Sequence, residues 1–414
     1  MAAEPLSEPL NRELPSWIRL SGEYRLRVED PHGIRFQPGA SDFYALNRLR
    51  LNLQLTPAKN VKFFFQGQDA RIVGNQIVSG GPPNANPFDL RQAWVELGDL
   101  EKRPVSMRVG RQELAFGEER LVGASNWANA ARTFDAVRVV LRNRQYRVDA
   151  FASSVVVAEV GRFDHHRQGD ALHGVYGSTT AWIPKARVEP YTFWRVAPRV
   201  RNEANLQGKL DLKAPGIRIA GDLPAGFDYV TEMAFQFGSW AGDDIRAWAG
   251  HWRTTHPLGT WTWKPRLRVE YNFATGDRDP RDGRHQTFDV LYPTPHDKYG
   301  LADQVGWRNI HHLGISVEAK PSANWTVQAR FHDRWLDSPT DGLYAAPGTL
   351  LFRDPDGNSG RHVGEEVDFQ FLWNPNPFLQ FGAGIGHVFP GEFLRKVSPG
   401  KNYTWPYASM TYSF

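Results

Sequence analysis

Apolar and polar side chains alternate along most of this chain. Between Ile18 and Glu29, apolar residues or glycine occupy every second position, and arginine, serine and glutamate fill the positions between them. The same period of two returns from Phe43 to Leu55 and again in later segments up to Phe414. Successive side chains of a β-strand point to opposite faces, so this period predicts strands. We therefore expect an all-β protein of about eighteen strands.

The connections between the predicted strands differ in length. Short turns such as Thr56–Asn60 alternate with long stretches such as Arg71–Pro87, Thr275–Val305 and Leu336–Arg361. This layout is typical of a transmembrane antiparallel β-barrel with short periplasmic turns and long extracellular loops. Tryptophans near the predicted strand ends favour the same interpretation, because aromatic girdles mark the two membrane interfaces. A soluble sandwich is the alternative architecture. A propeller is not favoured, because we find no repeat of about 40–50 residues.

Composition narrows the class of protein further. The 414 residues include no cysteine, and no segment approaches the roughly 18 apolar residues that a transmembrane helix needs. The first residues lack the basic and apolar segments of a signal peptide. We expect a mature start whose leader has been removed, with residues 1–15 as an N-terminal periplasmic extension and 16–414 as a single transmembrane barrel. The net charge is only +4, and the basic residues are spread over many predicted strands among acidic ones. This pattern does not favour a nucleic-acid partner, which would require one basic cluster.

One polar segment interrupts the alternation. Residues 110–135 carry charged and amide side chains at spacings that would cover every side of a helix, and alternating apolar strands flank them. The segment is therefore predicted to be a long ordered loop that folds into the barrel and narrows it.

Several segments resemble a known family. The sequence GRQELAFGEERLVGASNWANAARTFDAVRV from Gly110, ATGDRDPRDGRHQTFDVLYPTPHDKYGLAD from Ala274, and the strands YVTEMAFQFG and GEEVDFQF resemble the alginate export family of bacterial outer-membrane porins. The resemblance covers about Ser16 to Phe414. It implies an eighteen-stranded barrel in outer-membrane lipid that passes an anionic polysaccharide such as alginate, or smaller acidic solutes. For an exporter it also implies periplasmic export components as partners. The short turn Asn374–Pro377 departs from exporters that plug the periplasmic mouth with a long turn.

Arginine supplies 38 of the 49 basic residues. Its planar guanidinium suits carboxylate recognition, so we predict a lumen lined by arginines. Strand alternation and loop position give these candidates: Arg25, Arg48, Arg50, Arg108, Arg111, Arg120, Arg132, Arg138, Arg266, Arg268 and Arg330. Glu113, Glu118 and Asp135 are predicted to anchor the loop. The alternative is that all these charges pair across the wall and only make it rigid.

Weaker patterns leave other functions open. Asp277, Asp279 and Asp282 precede Gly283 as in a calcium loop, but their spacing departs from that motif, so no metal is predicted. The carboxylates of Glu118, Glu119 and Asp135 are of the kind that cleave glycans, although we expect a channel and not an enzyme. No cofactor is predicted. The rival from another class is a soluble or surface carbohydrate-binding β-protein without channel activity.

Overall fold

The computed structural model describes residues 4–202 and 205–414, and eighteen long antiparallel strands dominate it. The strands are β1 (Ile18–Glu29), β2 (Tyr44–Ala58), β3 (Val61–Val73), β4 (Asn86–Leu97), β5 (Val105–Gln112), β6 (Phe134–Arg142), β7 (Tyr146–Val157), β8 (His165–Thr179), β9 (Ala186–Arg201), β10 (Gln207–Asp222), β11 (Asp228–Trp240), β12 (Asp243–Pro257), β13 (Arg266–Ala274), β14 (Ile310–Ser322), β15 (Trp325–Trp335), β16 (His362–Asn376), β17 (Leu379–Pro390) and β18 (Tyr403–Ser413).

Each strand pairs with its neighbours in sequence, and the last strand pairs with the first. In this closing pair Glu23 lies opposite Ser413 and Glu29 lies opposite Tyr407. Gly22 and Phe414 then exchange two backbone hydrogen bonds of 2.6 and 2.9 Å. The sheet therefore has no free edge, as a barrel requires. The predicted all-β, eighteen-stranded antiparallel barrel is confirmed.

The two ends of the barrel differ. At the turn end, connections are as short as residues 59–60, 143–145 and 323–324. At the loop end lie residues 113–133, 275–309 and 336–361, although two connections there are also short. Helix α1 (Ser7–Glu13) sits at the turn end, where the Asn11 side chain exchanges two hydrogen bonds with the backbone of Leu20. Helix α2 (Glu392–Val397) lies at the loop end.

The outer surface of the barrel is apolar. Outward side chains in the middle of the strands stay exposed, including Leu51 at 55 % and Phe369 at 56 %. Others in this band are Leu49, Val137, Val175, Phe235, Ile315, Phe331 and Ile385. Exposed tryptophans such as Trp182, Trp261 and Trp325 lie in or beside the turns at the turn end of the barrel. An apolar band with aromatic borders fits contact with lipid. No helix in the described ranges combines the length and hydrophobicity needed to span a bilayer.

The apolar core lies inside the barrel, between the loops and the wall. Phe116 from the loop 113–133 stacks on Phe151 and Tyr176 of the wall, with ring centroids 5.3 and 5.0 Å apart. Phe288 and Trp307, from residues 275–309, are also fully buried. The loops are thus packed into the lumen as folded structure, and they place the polar groups described next.

Candidate luminal site

Two loop segments, residues 113–133 and 286–309, form the inward loops. Their backbones pair with each other: Gly123 N–H donates to Tyr292 O at 2.8 Å, Tyr292 N–H to Leu121 O at 2.8 Å, and Thr294 N–H to Glu119 O at 2.9 Å. Strand β5 continues to Gln112 and β6 begins at Phe134, so both ends of the predicted 110–135 segment belong to strands. The inward loops therefore narrow the lumen as one joined unit.

One side of the lumen, which we call the arginine wall, carries Arg25 on β1, Arg48 and Arg50 on β2, and Arg91 on β4. Each of these side chains is at most 6 % exposed. Two carboxylates accompany the four guanidinium groups: Glu23 lies 2.6 Å from Arg48, and Glu113 lies 2.5 Å from Arg91. The arginine wall therefore holds more positive than negative charge.

The remaining hydrogen bonds of the arginine wall go to neutral oxygens, which belong to the loop 113–133 and to Gln66 and Gln68 of β3. Arg25 Nη1 and Arg48 Nη1 donate to Asn126 O at 2.9 and 2.8 Å. Arg25 Nη2 donates to Trp127 O at 2.9 Å, and Arg50 Nη1 donates to Asn126 Oδ1 at 3.0 Å. Carbonyl and amide oxygens satisfy hydrogen bonds without cancelling charge.

Arg91 reaches the lumen because of a β-bulge. Alternation along β4 groups Arg91 with Ala93 and Val95 on the apolar face. In the structure, Gln66 lies opposite Gln92 and Gly67 lies opposite Leu90, which leaves Arg91 as the extra residue. A bulge re-aims the side chain at its position, so the sequence period missed this arginine.

A second charged group, the Glu118 centre, lies away from the arginine wall. Arg253 Nη1 is 2.8 Å from the Glu118 carboxylate, and Arg120 and Arg218 each lie 3.4 Å from it. Burial alone would raise the pKa of Glu118. The positive charges of Arg120 and Arg253, with further neighbours, outweigh burial and hold this pKa well below its usual range. Glu118 is therefore ionised, and it partly cancels the three arginines.

Most of the other arginines predicted to line the pore form ion pairs with carboxylates elsewhere in the barrel. Arg108 lies 2.5 Å from Glu96, and Arg138 lies 2.5 Å from Asp149. Arg266 likewise lies 2.5 Å from Asp228. Arg111 meets both oxygens of Asp135 at 2.8 and 3.1 Å, and Arg330 forms an ion pair with Asp297 of the inward loops. Arg132 donates to Pro293 O at 2.7 Å, and burial lowers its pKa to about 10. Arg268 has no ion pair or hydrogen bond among the described residues.

A chain of histidine and amide groups docks the inward loops on the far wall. Arg120 contacts His251 at 3.1 Å, and Asn272 joins His251 to His312 at 2.7 and 2.8 Å. His312 then contacts His332 at 2.8 Å. At its end, His332 meets Asp368, which accepts the Leu301 N–H at 3.0 Å. Sequence reasoning did not find this chain, because its members lie far apart in the sequence and only the barrel brings them together.

The aspartate side chains of the loop after β13 stabilise turns within that loop. Asp277, Asp279 and Asp282 each accept a backbone N–H from the same loop, at 2.8, 3.0 and 2.8 Å. Within residues 4–202 and 205–414, the group of three close metal-binding side chains is a different one. It consists of Asp333, His362 and Glu365, near the loop end of β15 and β16.

A closed barrel with an apolar outer band and a charged lumen narrowed by its own loops defines an outer-membrane channel. The chain belongs to the alginate export family, whose sequence profile, described as "Alginate export", matches residues 16–404. The predicted family and the location in the bacterial outer membrane are confirmed. A soluble carbohydrate-binding protein does not fit these findings.

Solved porins share the fold. The Acinetobacter baumannii protein OccAB2 aligns with a TM-score of 0.64 at 10 % identity, over 97 % of this chain and 99 % of that one. The Pseudomonas aeruginosa outer-membrane protein OpdK gives 0.64 at 9 % identity, over 95 % and 98 %. P. aeruginosa OccK3 (OpdO) gives 0.63 at 11 % identity, over 97 % of both chains. No curated protein sequence matches the chain. At these identities the structural likeness concerns the fold alone.

Proposed function

We propose that this channel passes acidic sugars and other small acidic solutes, and that the arginine wall receives their carboxylates. One observation carries the proposal. Four guanidinium groups of the arginine wall are accompanied by two carboxylates, and Arg25 and Arg50 donate to neutral oxygens. A region of uncancelled positive charge in a narrow passage attracts anions and raises their local concentration.

Asn126 indicates where a solute carboxylate binds. Its side chain is exposed, yet Oδ1 accepts from Arg50 at 3.0 Å and Nδ2 donates to Glu113 at 3.2 Å. A carboxylate oxygen arriving from the lumen is the stronger acceptor for Arg50, because it carries a negative charge and can pair bidentately with the guanidinium, whereas the amide oxygen is neutral. Displacement of the amide is reversible, since Asn126 returns when the solute leaves. Transport needs this kind of weak and replaceable binding.

An anionic polysaccharide of the alginate type is the second candidate, and family membership favours it. Two features favour small solutes instead. The inward loops are hydrogen-bonded across the lumen, and β16 and β17 are joined by a turn at residues 377–378, which is too short to form a periplasmic plug. Periplasmic export components, and a periplasmic position for residues 1–15, belong to this proposal. The absence of catalysis is also part of this proposal. It agrees with the ion pairs of the two carboxylates, since three arginines surround Glu118 and Arg111 binds Asp135.

Swelling of proteoliposomes tests the proposed function. We expect glucuronate to enter faster than glucose, which has a similar size and no charge. Arg50→Gln is expected to slow glucuronate and leave glucose unchanged. Arg144→Gln, in the exposed turn after β6, is the matched control and is expected to change neither rate. Equal rates for the two sugars in the wild-type protein contradict the proposal. Uronate oligomers of increasing length separate small solutes from polymer.

A further inference from the structure

A cavity of about 260 Å³ lies between the inward loops and the wall formed by β13–β16. Its polar lining includes Arg268, Glu270, Asp297, Lys298, Arg330 and Gln370. The arginine wall belongs to other strands, β1, β2 and β4, and contributes no residue to this lining. The cavity is therefore a second luminal location with its own set of charges.

The charges of the cavity are unevenly paired. Arg330 is bound to Asp297, and its Nη2 also donates to Gln370 at 3.0 Å. Glu270 contacts Asn272 at 3.4 Å. Arg268 and Lys298 make neither a hydrogen bond nor an ion pair with any residue of the described ranges, and Arg268 Nε is buried. A buried polar group without a partner costs free energy, so Arg268 gains from an arriving anion, and the partly buried Lys298 offers a second cation in the same cavity.

We propose that this cavity is a binding subsite for the carboxylate of a single acidic sugar or a smaller organic acid, held by Lys298 and Arg268. The inference rests on the proposed function, because it deepens the assignment of acidic solutes as substrates. The carboxylate oxygens accept hydrogen bonds from the ammonium and the guanidinium. Gln370 and Glu270 supply polar contacts for ring hydroxyls.

The size of the cavity limits the ligand. Small-molecule pockets commonly span about 300–1,000 Å³, so a volume of about 260 Å³ holds one sugar ring and not an oligosaccharide. The state of Lys298 agrees with an anionic ligand. Burial lowers the pKa of Lys298, and the charge of Arg120 lowers it further, whereas the negative charge of a bound carboxylate acts in the opposite direction and favours the ammonium form.

Binding of glucuronate to the detergent-solubilised protein, measured by titration calorimetry, tests the subsite. We expect Lys298→Met to weaken binding about ten-fold, which is the typical loss for one charge-assisted hydrogen bond. Lys298→Arg keeps the charge and is expected to retain most of the affinity. Lys320→Met, at an exposed position near the turn end of β14, is the neutral control. Heat-modifiable migration on gels shows that each variant has folded.

Two results overturn the subsite. One is an absence of glucuronate binding to the wild-type protein. The other is unchanged affinity in both Lys298→Met and Arg268→Gln. Either result leaves the proposed function standing if the swelling assay still favours glucuronate over glucose. Equal swelling rates with intact, Lys298-dependent binding would instead reject the transport role and keep the subsite.

Discussion

The arginine wall and the Glu118 centre contain the same cation in different surroundings. In the arginine wall, the guanidinium groups of Arg25 and Arg50 donate to carbonyl and amide oxygens of the loop 113–133. In the Glu118 centre, three guanidinium groups converge on one carboxylate, and Arg218 also pairs with Glu189. The arginine wall thus has four guanidinium groups beside two carboxylates, and the Glu118 centre has three beside two, so positive charge is cancelled more fully in the second.

The number of arginines in a lumen therefore does not by itself determine the electrostatic field there. Hydrogen bonds to neutral acceptors hold a guanidinium in place and keep its charge, whereas ion pairs hold it and remove the charge. The two regions therefore have different roles. The Glu118 centre fixes the inward loops to the barrel, and the arginine wall, in our proposal, interacts with the solute.

The largest effect is expected from Glu118→Gln, which would turn the Glu118 centre into a second uncancelled cluster. Removing one partner from a buried charged group typically costs about 3–5 kcal/mol, so we expect a lower unfolding temperature and a stronger preference for anions. Glu119→Gln is the control, because the neighbouring Glu119 carboxylate contacts Thr294 and the Ala124 N–H, and it has no ion pair with an arginine of residues 4–202 or 205–414. Wild-type stability and ion selectivity in Glu118→Gln would show that the two regions do not differ as described.

A smaller effect is expected from a matched pair of arginine variants, Arg50→Gln and Arg218→Gln. One unit charge near wet surroundings contributes roughly 1 kcal/mol, so Arg50→Gln should lower the anion-to-cation permeability ratio about five-fold. Arg218→Gln should lower it less, because this arginine lies between two carboxylates. Reversal potentials in a salt gradient measure both ratios. Equal changes in the two variants would mean that the partners of an arginine do not matter.

The smallest effect is expected at a pair of neighbouring carboxylates, Asp164 and Asp89. Here two negative charges lie close together, whereas the two regions above bring positive charges together. Asp164, in the loop before β8, donates its backbone N–H to Asp89 at 3.1 Å. Burial and the neighbouring Asp89 raise the pKa of Asp164 from 3.8 to about 7. Between these values the folded loop binds a proton that the unfolded loop does not, so its stability falls as pH rises from about 4 to about 7.

Hydrogen exchange of residues 158–164 measures this pH dependence. We expect faster exchange at pH 8 than at pH 5, after correction for the intrinsic rate. Asp164→Asn should remove the dependence, since the amide does not titrate. Protection that is constant or increases with pH in the wild-type protein would disagree with the raised pKa.

The sequence predicted the barrel well because its signal is local. Alternation at each strand depends on the next two residues, and it predicted the strands, including the closing strand near the C-terminus, and it placed Arg25, Arg48 and Arg50 on the polar face. The inward position of Arg91 was not predicted, because one inserted residue in β4 reverses the face that alternation assigns. A bulge has no clear pattern in a single sequence.

The partners of the arginines were beyond the sequence for a different reason. Whether Arg50 meets an amide or a carboxylate depends on how the loop 113–133 folds, some 76 residues away along the chain. The docking chain from His251 to Asp368 joins five strands in the same way. Residue types were therefore predictable, and the cancellation of their charges was not.

The most direct test of the central claim is the reversal potential of the wild-type channel in a planar bilayer with a potassium chloride gradient. We expect chloride to be more permeant than potassium, and we expect added glucuronate to lower the chloride current while glucose does not. A channel that prefers potassium, or that treats both ions alike and ignores glucuronate, would contradict the claim that the arginine wall leaves positive charge in the passage.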